Sequence, residues 1–364
     1  MPTFTLMGLE LKNPVIIAAG PWSADAALIQ QAIDAGAAGI ITETITMEYG
    51  IDHQPKIYRY QEDVFNLALY AKLTLEEWVR EIRKIDRKGC VLIASIWGST
   101  PSETAYIARK AEQMGFDGLE LSVSAPLGIR SEKLLNDPDG ISDYIRAITE
   151  VVSIPVMVKL SYATTLSTRS IKAMEAAGAK AFSAIDTLRG LKGVDLENFT
   201  TRMPTLGGYG GPYLKPISLA AIASLNQLAQ VDLAISGGIY SSNDVLEGLA
   251  VGASCAQLAS VVLINGYPVI REIVDQTQAF FERKGITQAQ EICGRALGSL
   301  LPYEDLPVDP SIYVTCKNPA ELSDDIRKIC IYRAIEQDGV DRERCIICGL
   351  CVETYPDLFQ LTKG

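Results

Sequence analysis

The sequence predicts an α/β fold: a closed (β/α)8 barrel of the TIM type, followed by a small cysteine-bearing segment at the C-terminus. Three observations carry this. From residue 13 to about residue 268, eight short apolar runs alternate with amphipathic stretches of helical period. The runs are apolar at nearly every position, as strands covered on both faces must be. Several helical stretches end at a glycine suited to the left-handed C-cap, namely Gly36, Gly115 and Gly178.

The expected strands are 14–18, 39–42, 91–96, 118–122, 156–160, 181–185, 233–236 and 255–258. The helices between them are expected at 25–35, 75–86, 102–114, 141–152, 168–177, 219–229 and 243–250. Eight strands each followed by a helix match a closed barrel rather than an open sheet. A last helix over 268–283 completes the barrel, assigned to residues 1–300. Two longer connections, 43–73 and 187–218, fall on the barrel's C-terminal face, where loops carry chemistry. Three prolines within residues 301–310 mark a linker, taken to run to residue 324, and residues 325–364 form the terminal segment.

Composition narrows the function classes. A chain of 364 residues with 48% hydrophobic side chains holds one large core and a small appendage. With 33 basic against 44 acidic residues the net charge is −11, which argues against nucleic-acid and anionic-membrane partners. Met1-Pro-Thr-Phe lacks a basic n-region, and no apolar run reaches membrane-spanning length. Eight cysteines, three of them clustered, suit a reducing compartment, so a cytoplasmic location is expected.

The cluster is Cys345-Ile-Ile-Cys348-Gly-Leu-Cys351, with Tyr355-Pro356 where a fourth cysteine would follow. C-x2-C-x2-C followed by x3-C-P is the iron–sulfur run of bacterial ferredoxins, and its last cysteine serves the other cluster of a two-cluster fold. Cys330 is placed to supply the missing thiolate. Its segment, Cys330-Ile-Tyr-Arg-Ala334-Ile335, resembles the C-P-x-x-A-I piece of the preceding ferredoxin half-motif, with Ile331 for proline. Cys330, Cys345, Cys348 and Cys351 are therefore expected to hold one [4Fe–4S] cluster, with Tyr355 marking a lost second one. The alternatives are zinc or a knot of thiols; zinc prefers paired hooks set well apart.

In the barrel, Gly207, Gly208, Gly210 and Gly211 follow strand six, Gly237 and Gly238 follow strand seven, and Ala259 and Ser260 follow strand eight. A phosphate bound by backbone N–H groups needs close main-chain approach, and the loops after strands seven and eight are its usual seat in this fold. Lys159 ends the apolar strand five, where burying an ammonium is costly without an anionic or cofactor partner. Ser122, Asp186 and Thr187 end neighbouring strands, and Asn66 in the loop after strand two offers an amide to a planar ligand. His53 is the only histidine and is expected at the surface, so no Ser–His or Cys–His pair forms around another imidazole.

Together, Asn13-Pro-Val-Ile-Ile-Ala-Ala-Gly20-Pro, Leu119-Glu-Leu-Ser-Val-Ser-Ala-Pro126, Val158-Lys159-Leu160 and Ser236-Gly-Gly-Ile239 resemble the dihydroorotate dehydrogenase superfamily. Within it the likeness runs to the pyrimidine-oxidising domain of dihydropyrimidine dehydrogenase, whose ferredoxin extension is echoed here. The resemblance implies an FMN-binding barrel with a cluster exchanging electrons with the flavin. It places Lys159 near the flavin ring, Gly211, Gly237, Gly238 and Ser260 at the FMN phosphate, and Asn66 and Thr187 toward flavin or substrate. Ala18, Ala19, Gly20, Thr42, Gly210 and Ala259 complete the implied cofactor set.

The departures from the family fall at the chemistry. Its strand-four motif, Asn-x-Ser-Cys-Pro, carries the acid/base cysteine; here the stretch is Ser122-Val-Ser124-Ala125-Pro126, and alanine carries no proton. A second family asparagine is Asp186, and a lysine after strand two is Glu43. The first expectation is an FMN and [4Fe–4S] oxidoreductase acting on CH–CH groups of a small cyclic or unsaturated substrate other than a pyrimidine. Its catalytic candidates are Glu43, Asp186, Lys159, Ser124 and Tyr162, with Glu43, Asp186 or Tyr162 moving the proton. The alternatives are a flavin and iron–sulfur relay subunit of a larger complex, and a phosphate-binding lyase without flavin. No G-x-G-x-x-G joins a strand to a helix, so electrons are expected from a ferredoxin or flavoprotein partner rather than from NAD(P)H bound here. By the resemblance a homodimer or a subunit of a larger complex is expected.

Overall fold

The computed structural model describes residues 2–47, 54–123 and 137–363. The chain divides into two compact units, Met1–Ser299 and Leu300–Gly364.

The first unit is a closed barrel of eight parallel strands: Val15–Ile17, Gly39–Ile41, Val91–Ile96, Gly118–Ser122, Val156–Leu160, Ala181–Ala184, Asp232–Ser236 and Cys255–Leu258. Each strand pairs with its neighbour in sequence, and strand eight closes on strand one through Gln257 opposite Ile16. These strands are buried almost without break because helices cover their outer face and side chains fill the lumen. The outer helices start where side chains cap them. Asp25 accepts from the Leu28 amide at 2.9 Å, and Thr100 accepts from the Glu103 amide at 3.2 Å. Gly115, with φ +87°, ends the helix Pro101–Met114 in the left-handed conformation expected of it.

Three helices depart from expectation, and the one before strand seven begins at Lys215 rather than residue 219. The helix after strand two stops at Ile82 rather than residue 86, because the backbone beyond it is tied to the first helix: the Asp86 amide donates to Gln30 at 2.9 Å. The helix before strand five starts early, at Pro138, because Asp137 caps it by accepting from the Gly140 amide at 3.0 Å.

Nothing in the pattern before residue 13 announced a hairpin, yet Phe4–Leu6 and Leu9–Leu11 form one. Its turn residues Met7 and Gly8 both have positive φ, 57° and 79°, as a two-residue type I′ turn demands. The Met7 amide donates to Asp232 at 2.7 Å, at the start of strand seven, so the hairpin closes the N-terminal mouth of the barrel. Phe4, Leu6 and Leu11 are buried there, each worth about 1.5–3 kcal/mol of transfer free energy.

At the opposite end the two long connections do not remain loops. Ile57–Tyr60 and Asp63–Asn66 from the first, and Leu188–Gly190 and Gly207–Gly210 from the second, join into one antiparallel sheet. The glycine-rich run expected to be a loop is thus a strand. Side chains on it would collide with the sheet's neighbours: a Cβ on Gly208 would lie 2.6 Å from Thr187 Oγ1.

The second unit pairs Ile312–Cys316 with Phe359–Lys363 around a small core of Val314, Leu322, Ile335, Leu358 and Phe359. Ile312–Cys316 lies inside the segment expected to be a linker. Its cross-strand partner is more than forty residues away, so nothing local marked it as a strand. Among the described residues no helix is long and apolar enough to cross a membrane.

Candidate functional site

Two adjoining cavities open at the C-terminal end of the barrel, of about 660 and about 530 Å³. They share Ala19, Asn66, Lys159, Asp186, Thr187 and Gly208, so strands one, five and six and the antiparallel sheet form the region common to both. Register sets the centre: Lys159 sits opposite Ser122 on strand four and opposite Ser183 on strand six.

Lys159 is 4% exposed and pairs with Asp186 at 3.3 Å. Burial pulls its pKa down, but the carboxylates of Asp186 and Glu120 more than offset this, so the net shift is upward and the ammonium persists. Beneath it Glu120 is fully buried, accepting from Ser183 Oγ at 2.9 Å and from Gln257 Nε2 at 3.5 Å. Burial raises the pKa of Glu120, with Lys159 opposing that shift. Sequence reasoning missed Glu120 and Gln257. The signal was the one that picked out Lys159, a polar side chain inside an otherwise apolar strand.

The first cavity is rimmed by Gly210, Gly211, Gly237, Gly238, Ala259 and Ser260, together with Ala18. Gly237 and Gly238 have φ of +95° and +78°, and a Cβ on Gly238 would lie 2.2 Å from the Lys215 amide nitrogen. Only a glycine lets the main chain approach this closely, the geometry that suits an anion held by backbone N–H groups. Tyr240 donates to Ser260 Oγ at 2.8 Å and so orients that hydroxyl at the same rim. Trp22, also missed from sequence, lines this cavity and is pinned by donation from Nε1 to the Ala18 carbonyl at 2.7 Å. Planar apolar walls, a buried cation and a glycine rim fit a flavin mononucleotide in kind.

The second cavity brings together Gly20, Glu43, Thr44 and Ser122 beside the shared residues. Glu43 is 6% exposed. Asn66 is oriented by its own loop, its Oδ1 accepting from the Ala68 amide at 2.8 Å.

Two expected site residues lie elsewhere. Thr42 is fully buried and lines neither cavity, because its hydroxyl accepts from the Ser95 amide at 3.1 Å across to strand three. Tyr162 opens the short helix Tyr162–Thr165, packs against the barrel core and lines neither cavity. Ser124, Ala125 and His53 lie outside the described residues.

In the second unit, Cys330, Cys345, Cys348 and Cys351 line one apolar pocket of about 300 Å³ with Ala334, Ile335 and Val340. All four are free thiols. The Ala334 amide donates to Cys330 Sγ at 3.4 Å, and burial raises the Cys351 pKa, with Cys345 and Cys348 adding to it. Among the described residues no three His, Cys, Asp or Glu side chains are gathered closely enough to hold a metal ion. The thiols share a pocket without being drawn to a common centre.

A sequence model of the family described as "Dihydroorotate dehydrogenase" matches residues 1–281. Among individual proteins, the catalytic subunit of dihydroorotate dehydrogenase B (NAD(+)) from Pyrococcus abyssi is 31% identical over 299 residues, covering 80% of this chain and 98% of the relative. The protein of the same name from Pyrococcus furiosus is 32% identical, with 80% and 97% covered. That from Methanocaldococcus jannaschii is 28% identical, with 80% and 96% covered.

Proposed function

The chain belongs to the dihydroorotate dehydrogenase family of flavin-dependent oxidoreductases acting on CH–CH bonds, and we propose that it binds FMN and one [4Fe–4S] cluster and oxidises or reduces a small cyclic or unsaturated substrate other than a pyrimidine. The observation that carries this reading is the second cavity, where Glu43 and Ser122 stand beside the Lys159–Asp186 pair.

Bound FMN supplies hydride exchange with the substrate and single-electron exchange with a cluster. Gly211, Gly237, Gly238 and Ser260 would hold its phosphate, and Ala18, Ala19, Asn66, Thr187 and Lys159 its ring system. The substrate would face Glu43, Ser122, Asn66 and Asp186. Ionised carboxylates only accept hydrogen bonds, so they suit a ligand with N–H or ammonium donors and disfavour a carboxylate such as that of dihydroorotate. With Ala125 in the motif that carries the family's acid/base cysteine, Glu43 or Asp186 is the group to move the proton.

Anaerobic incubation with dihydroorotate, dihydrouracil or dihydrothymine and an artificial acceptor is expected to give no turnover. Fast oxidation of any of them would sink the non-pyrimidine assignment and return the chain to its relatives' substrate class. Glu43→Gln is expected to lower activity on the true substrate by about 10²-fold or more while FMN content stays unchanged. If Glu43→Gln altered only assembly with another chain, the second reading, a relay subunit of a larger redox complex, would take over. That reading draws on the loss of the family's two pyrimidine-clamping asparagines at Ser122 and Asp186 and of its lysine at Glu43.

The pocket shared by the four cysteines supports the cluster, as does the amide donation to Cys330, since hydrogen bonds to sulfur are one way such sites tune a cluster. Cys330→Ala is expected to abolish the cluster or leave a three-iron form. Unchanged iron content and an unchanged EPR spectrum would remove Cys330 from the ligand set. Electrons would pass through the cluster to or from a ferredoxin or a flavoprotein subunit, in keeping with relatives whose name marks them as catalytic subunits. A reducing cytoplasm suits the free thiols.

A further inference from the structure

Below the floor of the cavities the barrel lumen is polar where a TIM-type barrel is ordinarily filled with branched apolar side chains. Glu120 from strand four meets Ser183 from strand six and Gln257 from strand eight, contacts that only lumen-facing side chains make across the barrel. Lys159 from strand five stands above it, two residues further along in register, and lines both cavities. Glu120 itself is sealed from solvent.

The hydrogen bonding of this layer is incomplete in a particular way. Glu120 Oε1 and Gln257 Oε1 are both buried with no partner, and both are acceptors. A buried acceptor without a donor is costly, and a proton on Glu120 would turn one of the two into a donor. The charged and titratable groups around it are the Lys159 ammonium on strand five, Asp186 after strand six and, more weakly coupled, the Cys255 thiol on strand eight. Burial and Asp186 favour the protonated acid, whereas Lys159 first, and then the hydrogen bonds from Ser183 and Gln257, favour the carboxylate. Of the groups that favour its ionisation, Lys159 carries the largest effect and also faces the cavity above.

We propose that Glu120 takes up a proton when a flavin seated beside Lys159 is reduced, so that it acts through Lys159 as a positioning residue that keeps the charge under the flavin constant. The inference rests on the FMN reading above. Two-electron reduction of a flavin to its monoanion consumes two electrons and one proton. The new negative charge competes with Glu120 for the Lys159 ammonium, and Glu120 then binds a second proton from solvent. The balance is two electrons and two protons over the pH range between the ionisation of Glu120 in the oxidised and reduced protein, and two electrons and one proton outside it.

The test is the midpoint potential of the FMN-loaded protein, followed spectroelectrochemically with soluble mediators from about pH 5 to about pH 9. Released FMN is measured first, since a flavin-free protein would overturn the cofactor assignment and this inference with it. The loaded wild type is expected to show a pH range with twice the slope of Glu120→Gln, which keeps the acceptor for Ser183 but cannot ionise. Matching slopes in the two loaded proteins would overturn this inference alone. Should Glu120→Gln fail to fold or to hold FMN, the redox-difference infrared spectrum of the wild type decides. A carboxylic-acid C=O band that grows on reduction and shifts in protein labelled with ¹³C-glutamate is expected, and its absence overturns the proposal.

Discussion

Replacing Lys159 by methionine is expected to destabilise the barrel by about 3–5 kcal/mol at neutral pH, because it takes from the Glu120 and Asp186 carboxyl groups the ammonium beside them. Glu120 is fully buried and Asp186 lies at 3.3 Å from the lost ammonium. The deficit should shrink as pH falls. The pKa of Glu120 is raised by burial, and without Lys159 only the hydrogen bonds from Ser183 and Gln257 oppose that rise. A raised acid costs stability above its unfolded-state pKa, and that cost disappears as pH drops through the native value. In the wild type the upward shift of Lys159 acts in the opposite range. Its contribution is present below the ordinary lysine pKa and is lost as pH rises through the higher native value. Denaturant titrations of both proteins at several pH values check this. A deficit that did not depend on pH would mean that the loss is one of packing, not charge. The variant is also expected to lose most of its flavin, since Lys159 lines both cavities.

Gly238→Ala carries the second large expected effect. The residue sits at φ +78°, where an L side chain costs about 1–2 kcal/mol, and its Cβ would fall 2.2 Å from the Lys215 amide nitrogen. Lys215 cannot easily move aside. It begins the helix Lys215–Leu228 and its ammonium is held by Asp244 at 2.8 Å and Glu247 at 3.0 Å. Overpacking against fixed backbone adds about 1–3 kcal/mol. At about 2–4 °C per kcal/mol for a domain of this order, the midpoint should fall by roughly 5–15 °C. FMN should be lost in parallel, because the displaced backbone is the rim on which its phosphate would rest. A variant with full flavin content and an unmoved midpoint would remove Gly238 from the phosphate seat.

The barrel was legible because each of its strands is buried on both faces, which leaves a run of apolar residues that no amphipathic helix imitates for long. Lys159 stood out against such a run, and Gly237 and Gly238 stood out by place. Glu120 and Gln257 carried the same kind of signal but sat mid-strand, where a polar side chain pointing into the lumen looks like an isolated exception. Thr42 is the opposite case. Its place at the end of strand two suggested the cavity, whereas its hydroxyl turns to the Ser95 amide within strand three, a choice decided by side-chain direction. The hairpin Phe4–Leu11 was missed because its strands, with Thr5 and Glu10 at their centres, are not the apolar runs that marked the barrel, and the strand Ile312–Cys316 because it finds its partner only at the far end of its unit. Gly207–Gly210 was hidden by its composition, since glycine there serves close packing rather than a turn.

The antiparallel sheet over the barrel mouth has a consequence for how this protein can be altered. Asn66 is paired with Gly208, and Gly208 leaves room only for Thr187, so residues from two connections more than a hundred positions apart form one interlocked roof. Loops of a barrel are usually exchangeable one at a time, as separate modules. Here a transplant of the segment after strand two would arrive without the strand that must receive it, and the same holds for the segment after strand six. Retargeting this enzyme, in the laboratory or by descent, therefore requires the two segments to travel together.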